Sequence, residues 1–149
     1  MQVKVKKLHP DAIMPKYATD GSACFDLHVC DEGMGTTLLS DPGVVAYTFR
    51  TGLAFDIPQG HVMLVFSRSG HGFKNGVRLA NCVGVIDSDY RGEVCVRLAA
   101  DHDNNSLLVL DGDRIAQAMI IPIPSVELVE ADSLTDTERG AGGFGSTGV

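Results

Sequence analysis

Apolar residues recur along the chain in short segments separated by glycine- or proline-bearing turns, and no segment holds a helical period for three turns. Glu93-Val94-Cys95-Val96-Arg97-Leu98 alternates cleanly, placing Val94, Val96 and Leu98 on one face of a strand whose other face meets water. Similar patterning predicts strands over residues 2–7, 44–49, 62–66, 78–85, 107–110, 115–121 and 126–129. About eight short strands predict an all-β fold of the jelly-roll or barrel kind. Residues 69–74 read as one short helical turn, weakened by Gly70 and Gly72.

A chain of 149 residues fits one domain. No internal repeat or linker interrupts it, and composition shifts only near the end. Residues 1–138 therefore read as a single β domain and residues 139–149 as a glycine-rich arm. The formal charge of -7 disfavours a nucleic-acid partner, because nonspecific binding to a polyanion depends on Lys and Arg displacing counterions. A small anion fits if a few arginines converge on one pocket. No apolar run approaches the roughly 18 residues of a membrane span, and the N-terminal lysines lead into no apolar stretch, so a soluble cytoplasmic protein without a signal peptide is expected. Cys24, Cys30, Cys82 and Cys95 include no Cys-x-x-Cys pair and no His at zinc-ligand spacing, and read as reduced, small core residues. His9, His28, His61 and His102 likewise lack ligand spacing and read as solvated or structural.

Four segments resist a purely structural reading. The tail from Arg139 holds Gly140, Gly142, Gly143, Gly145 and Gly148, too many to pack a core, yet it also carries Arg139, Phe144, Ser146 and Thr147. Those types supply a charge, a stacking ring and hydroxyls for phosphate oxygens. Its Gly-x-Gly-x-x-Gly spacing is not a dinucleotide fingerprint, since too little chain follows for the required helix, and the missing Lys excludes a P-loop. In Gly84-Val-Ile-Asp87-Ser-Asp89-Tyr90-Arg91-Gly92 two carboxylates stand two residues apart after an apolar strand; a polar hairpin turn is the plain alternative. An EF-hand is excluded, because Leu98 stands where the bidentate Glu belongs. Gln117 is the one polar residue in an otherwise apolar strand and must find partners, either neighbouring backbone or a polar site. Ser67-Arg68-Ser69-Gly70 places a guanidinium and a hydroxyl at a strand end, without the Gly-x-Ser-x-Gly elbow of a serine hydrolase.

The order of these segments is more specific than any one of them. Ala18-Thr-Asp-Gly-Ser-Ala-Cys-Phe-Asp26-Leu27, Arg68-Ser69-Gly70, Asn81 through Gly92, Gly112-Asp-Arg-Ile-Ala-Gln117 and Arg139 through Gly148 resemble, in sequence, the five motifs of the homotrimeric dUTPase family. The resemblance implies a jelly-roll or distorted β-barrel trimer with three active sites, each drawing residues from all three subunits. It implies hydrolysis of dUTP to dUMP and pyrophosphate with Mg²⁺, which limits uracil incorporation into DNA and supplies dUMP for dTMP synthesis. By this likeness Asp87 is the base that activates water, and Tyr90 packs on the deoxyribose, excluding a 2′-hydroxyl. Asn81 and the hairpin backbone through Gly84 and Val85 bond uracil. Arg68, Ser69, Gly70, Gln117 and Arg139 hold the phosphates, and Asp26 orders waters around Mg²⁺. Phe144 covers the uracil, with Gly145, Ser146 and Thr147 reaching the terminal phosphate as the arm closes.

Such a site suits an acidic chain, because Mg²⁺ takes oxygens from phosphates and waters and few arginines complete the neutralisation. The chain departs from the family's usual pattern at Cys24, where Gly is common, at Phe25 for Tyr, at Ser67 for Pro, and at His71 for an aliphatic residue. A dCTP deaminase, or a deaminase-hydrolase, of the same fold is one alternative; a nucleotide-sensing partner of another protein is the other, and an added regulatory partner is compatible with either.

Overall fold

Antiparallel pairing of short strands with few local contacts builds the molecule. In the computed structural model the described residues are 1–30, 36–37, 45–100, 109–146 and 148. The strands are β1 (Lys4–Lys7), β2 (Phe25–His28), β3 (Thr36–Thr37), β4 (Val45–Arg50), β5 (Leu53–Asp56) and β6 (His61–Phe66). After the helix α1 (Ser69–Asn75) come β7 (Val77–Leu79), β8 (Val83–Ile86), β9 (Cys95–Ala100) and β10 (Arg114–Pro122). They form a two-stranded sheet, β1-β5, and two four-stranded sheets ordered β2-β10-β6-β8 and β3-β4-β9-β7. The fold is all-β as expected, although among the described residues the sheets stay open and do not close into one barrel. No helix among those residues is long and apolar enough to cross a membrane.

One core is shared by all three sheets. Leu27, Met63, Val65 and Ile115 meet Phe49, Leu79, Val96 and Leu98 from the second large sheet, and Leu53 and Phe55 from the small one. The alternation of β9 is realised, with Val94, Val96 and Leu98 buried and Cys95 exposed. β10 is an interior strand, paired with β2 on one side and β6 on the other, and both its faces are buried or half-buried from Ile115 to Ile121. A register shift between Arg114 and Ala116 turns its first residue.

Three expected strands need correction. Residues 78–85 do not make one strand: β7 pairs with β9 and β8 with β6, so the apolar run passes from one sheet to another through a turn at Cys82, whose φ is 62°. Periodicity cannot register a change of partner. Residues 126–129 form no strand, and Val126, Leu128 and Val129 stand exposed, with apolar patterning but no pairing partner among the described residues. In the segment 107–110, Val109 and Leu110 are outside any strand, and Leu107 and Leu108 lie outside the described residues, as does Val44. Conversely, β2, β3 and β5 went unpredicted, each being only two to four residues long. The helical turn at 69–74 is present as α1, stopped by Gly76 in the left-handed region at φ 58°.

Candidate active site

The register of β6 governs where the chemistry falls. β8 runs antiparallel to it, with Val83 opposite Phe66 and Ile86 opposite Met63. Asp87, one residue past Ile86, is thus level with Val62, while Arg68 lies two residues beyond the other end of the strand. The span from position 62 to position 68 is about 20 Å at the rise of an extended strand.

At the Arg68 end an open cleft of about 380 Å³ is lined by Asp26, Arg68, Ser69, Arg114 and Gln117, with Ser22 and Cys24 at its wall. Strand pairing explains the gathering: Asp26 lies opposite Gln117, and Gln117 opposite Phe66. The Asp26 side chain, 14% exposed, accepts Arg68 Nε on Oδ1 at 3.0 Å and Arg114 Nη1 on Oδ2 at 3.2 Å. One carboxylate therefore orients two guanidiniums and leaves a net positive charge, with more N–H donors than it can accept. Arg68 Nη1 also donates to Arg114 O at 3.3 Å, and His71 Nε2 bonds the same carbonyl at 2.8 Å, tying α1 to the start of β10. Gln117 Nε2 donates to Ser67 O at 3.0 Å, and Ser67 Oγ accepts Leu79 N–H at 2.8 Å. The amide thus satisfies itself on backbone and still lines the cleft, so both readings of Gln117 hold.

The donor set bears on the metal. Among the described residues no three His, Cys, Asp or Glu side chains gather as a metal site. Asp26 already bonds two arginines, and their charge opposes direct ligation of a divalent cation; its remaining lone pairs suit contact through water.

At the other end, Val85, Ile86, Asp87, Tyr90, Glu93 and Cys95 line a second cleft of about 310 Å³. Tyr90 N–H bonds Asp87 O at 3.2 Å, and the Tyr90 hydroxyl donates to Glu93 O at 3.0 Å. Arg91 braces the turn, donating to Ser88 O at 2.7 Å and to Asp56 Oδ1 at 2.8 Å. Asn81 is in the turn at the opposite end of β8 from Asp87, and Gly84 faces Val65 so closely that a Cβ there would stand 3.1 Å from the Val65 Cβ. The two clefts share no residue.

The arm is a succession of turns. Arg139 Nε donates to Gly142 O at 2.9 Å, and Gly142 N–H and Ser146 N–H close turns on Arg139 O and Gly143 O, both at 3.0 Å. Gly145 takes φ 91° and the Phe144 ring is fully exposed. The described arm residues line neither cleft, and Thr147 lies outside the described residues.

Arg114 was overlooked in the sequence as a partner of Asp26, and so was the packing of His71 against it. Only pairing between distant strands reveals them. Of the four histidines read as solvated or structural, His9 meets Cys30 Sγ at 3.4 Å through Nδ1 and His61 bonds Gln59 O at 3.3 Å; His102 lies outside the described residues. Cys24 and Cys30 thiols are both pushed up in pKa, chiefly by burial and then by nearby carboxylates. Cys82 and Cys95 are exposed and are not the core residues expected, because the turn and the outer face of β9 hold them.

These features define an antiparallel β protein with a cleft lined by two arginines, a separate carboxylate and phenol cleft, and a glycine-rich arm. The dUTPase family profile matches residues 10–148. A deoxyuridine 5'-triphosphate nucleotidohydrolase of Nautilia profundicola is 45% identical over 148 residues, covering 99% of both chains. One from Helicobacter pylori is 40% identical over 149 residues, covering 100% of this chain and 98% of the other. Among solved structures, a mutant dUTPase of Staphylococcus bacteriophage 80alpha with dUpNHpp superposes with a TM-score of 0.83 at 28% identity, covering 99% of each chain. The chain belongs to the dUTPase family.

His28, beside this cleft, gives a pH prediction. Its Nδ1 is buried without a partner, and its pKa is lowered by burial, against the opposing pull of Asp26 and with help from Arg114 and Arg68. A histidine that protonates less readily folded than unfolded withdraws stability as pH falls below its unfolded pKa of about 6.5. Thermal melts of the parent between pH 7.5 and pH 5, conditions set by about that value, should show a decline that His28→Asn reduces. An equal decline in both proteins would contradict this origin.

Proposed function

We propose that the protein hydrolyses dUTP to dUMP and pyrophosphate as a homotrimer whose active sites each combine the two clefts and the arm from different subunits. Membership in the dUTPase family supports the substrate. The observation that carries the assembly is the placement of Asp87 and Arg68 at opposite ends of β6, about 20 Å apart. A base and a phosphate clamp must meet on one triphosphate within a few ångströms, and one chain does not bring them together. The exposed apolar Val126, Leu128, Val129 and Leu134 also await a surface outside their own chain.

Within such a site Asp87 takes the proton of a water attacking the α-phosphorus in line. Tyr90 packs against the deoxyribose, and Asn81 with the backbone of Gly84 and Val85 bonds the uracil edge. Arg68, oriented by Asp26, holds phosphate oxygens together with Ser69, Gly70, Gln117 and Arg139. Asp26 would order the waters of a bound Mg²⁺, which would supply charge neutralisation. Closure of the arm lays Phe144 over the uracil and brings Gly145, Ser146 and Thr147 to the terminal phosphate, excluding bulk water. The compartment we infer is the cytoplasm, and dUTP hydrolysis there would limit uracil in DNA while dUMP release feeds dTMP synthesis.

Replacing Asp87 by Asn removes the proton acceptor without changing shape, so turnover of dUTP should fall roughly 10²- to 10⁴-fold with nucleotide binding retained. Steady-state pyrophosphate release and calorimetric binding measure both, and turnover within a few-fold of the parent would exclude Asp87 as the base.

Ordering the arm costs about 1 kcal/mol or more per residue, recovered from ring stacking and phosphate bonds only when nucleotide is present. A chain ending at Glu138 should keep its melting temperature and assembly state while losing most dUTP turnover. Full activity of the truncated protein would refute the role of the arm.

A further inference from the structure

Tyr90 sits on an exposed turn where a half-exposed ring would ordinarily sample several rotamers. Two features hold it. Its hydroxyl donates to Glu93 O at 3.0 Å, and its ring lies over Gly92 so closely that a Cβ on Gly92 would overlap the phenol. Gly92 is not among the positive-φ glycines, so its missing side chain is required by the ring and not by the turn.

The carbonyl that receives the phenol is fixed in its turn. The Glu93 carboxylate, 16% exposed, accepts Gly52 N–H on Oε1 at 2.7 Å, and its Oε2 receives both Nε and Nη2 of Arg50 at 2.9 Å. Gly52 has φ 66° and is packed against Ala12 and Cys30, so this anchor is a crowded, rigid corner between β4 and β5. The next residue, Val94, is clamped as well: its carbonyl accepts the buried Thr51 hydroxyl at 2.6 Å and its N–H bonds Leu53 O at 2.9 Å. The carboxylate of Glu93 is spent on this corner and only its backbone meets Tyr90.

We propose that Glu93 and Gly92 are positioning residues for Tyr90, and that they set how strictly the site prefers deoxyribose over ribose. The inference rests on the reading of Tyr90 as the residue that faces the sugar. Rejecting one extra hydroxyl by steric conflict is only as sharp as the wall is immobile; a ring that swings aside admits it. Glu93 supplies the immobility from the hydroxyl end and Gly92 from beneath the ring.

Two variants loosen the ring from different sides. Glu93→Gln keeps the size of the side chain but gives up the charge paired with Arg50, and Gly92→Ala pushes the ring from below. For each, the ratio of kcat/KM for dUTP to that for UTP should fall by at least about fivefold. Tyr90→Phe, which lacks the bonded hydroxyl, should lower the ratio too, and adding Glu93→Gln to it should cost little more. Equal losses on both substrates, leaving the ratio within about twofold of the parent, would mark a merely structural role and overturn the proposal.

A second readout does not depend on turnover. With 3 tyrosines and no tryptophan, protein labelled with 3-fluorotyrosine gives a simple ¹⁹F spectrum in which Tyr90 is assigned by its loss in Tyr90→Phe. Without ligand, Glu93→Gln and Gly92→Ala should shift or broaden the Tyr90 signal and leave Tyr17 and Tyr47 in place. A Tyr90 signal unmoved in both variants would refute the positioning role. A parent protein that turns over UTP as well as dUTP, with the ¹⁹F shifts as expected, would instead refute the placement of Tyr90 on the sugar.

Discussion

The antiparallel register of β6 with β8 and β10 is the constraint on which the rest depends. Most of the candidate site residues outside the arm are attached to one end or the other of that three-strand unit or to β2 beside it. β10 and β2 carry Gln117 and Asp26 to the end where Arg68 and Ser69 emerge, and β8 carries Asp87 and Tyr90 to the far end. A slip of one residue would turn all of these side chains to the opposite face. The burial of Met63, Val65, Ala116 and Ala118 on the core side of the same strands penalises such a slip. Packing and the placement of the candidate residues are therefore specified by the same pairing, and the separation it imposes is what the proposed sharing of a site between chains answers.

In this acidic chain local arrangement, not overall charge, makes one cleft positive. Asp26 is the organiser: by accepting both Arg68 and Arg114 it holds two cations side by side that would otherwise repel each other. His71 and Arg68 then secure the Arg114 carbonyl, so the helix that follows the arginine and the strand that carries the second one move as one piece. At the other cleft an equivalent task falls to Glu93, whose carboxylate joins the corner at Gly52 to the turn after Tyr90. In both places a carboxylate fixes a neighbouring group that the proposed reaction uses.

Much of this was legible in the sequence, for identifiable reasons. Alternation announced β9, because one of its faces is wet, and the chemical oddity of Asp87, Tyr90, Arg68 and the glycine-rich tail stood out against apolar strands. The order of the five motifs carried the family. What stayed hidden depends on long-range pairing. Arg114 has no local feature that marks it as a partner of Asp26, and the change of sheet at Cys82 occurs inside an unbroken apolar run. Residues 126–129 have strand-like composition, yet among the described residues no strand pairs with them. His71 and Ser67, which depart from the family pattern, are absorbed by new bonds to Arg114 O and Leu79 N–H.

The most direct test of a site divided between chains is complementation. Asp87→Asn and Arg68→Ala chains, each nearly inactive alone, are unfolded, mixed in equal amounts and refolded together. If Asp87 and Arg68 of one site come from different subunits, random assembly leaves about a quarter of the sites with both residues intact. Specific activity should then recover to about that fraction of the parent. If both residues of a site come from the same chain, every site lacks one of them, and mixed assemblies with no recovered activity would contradict the account.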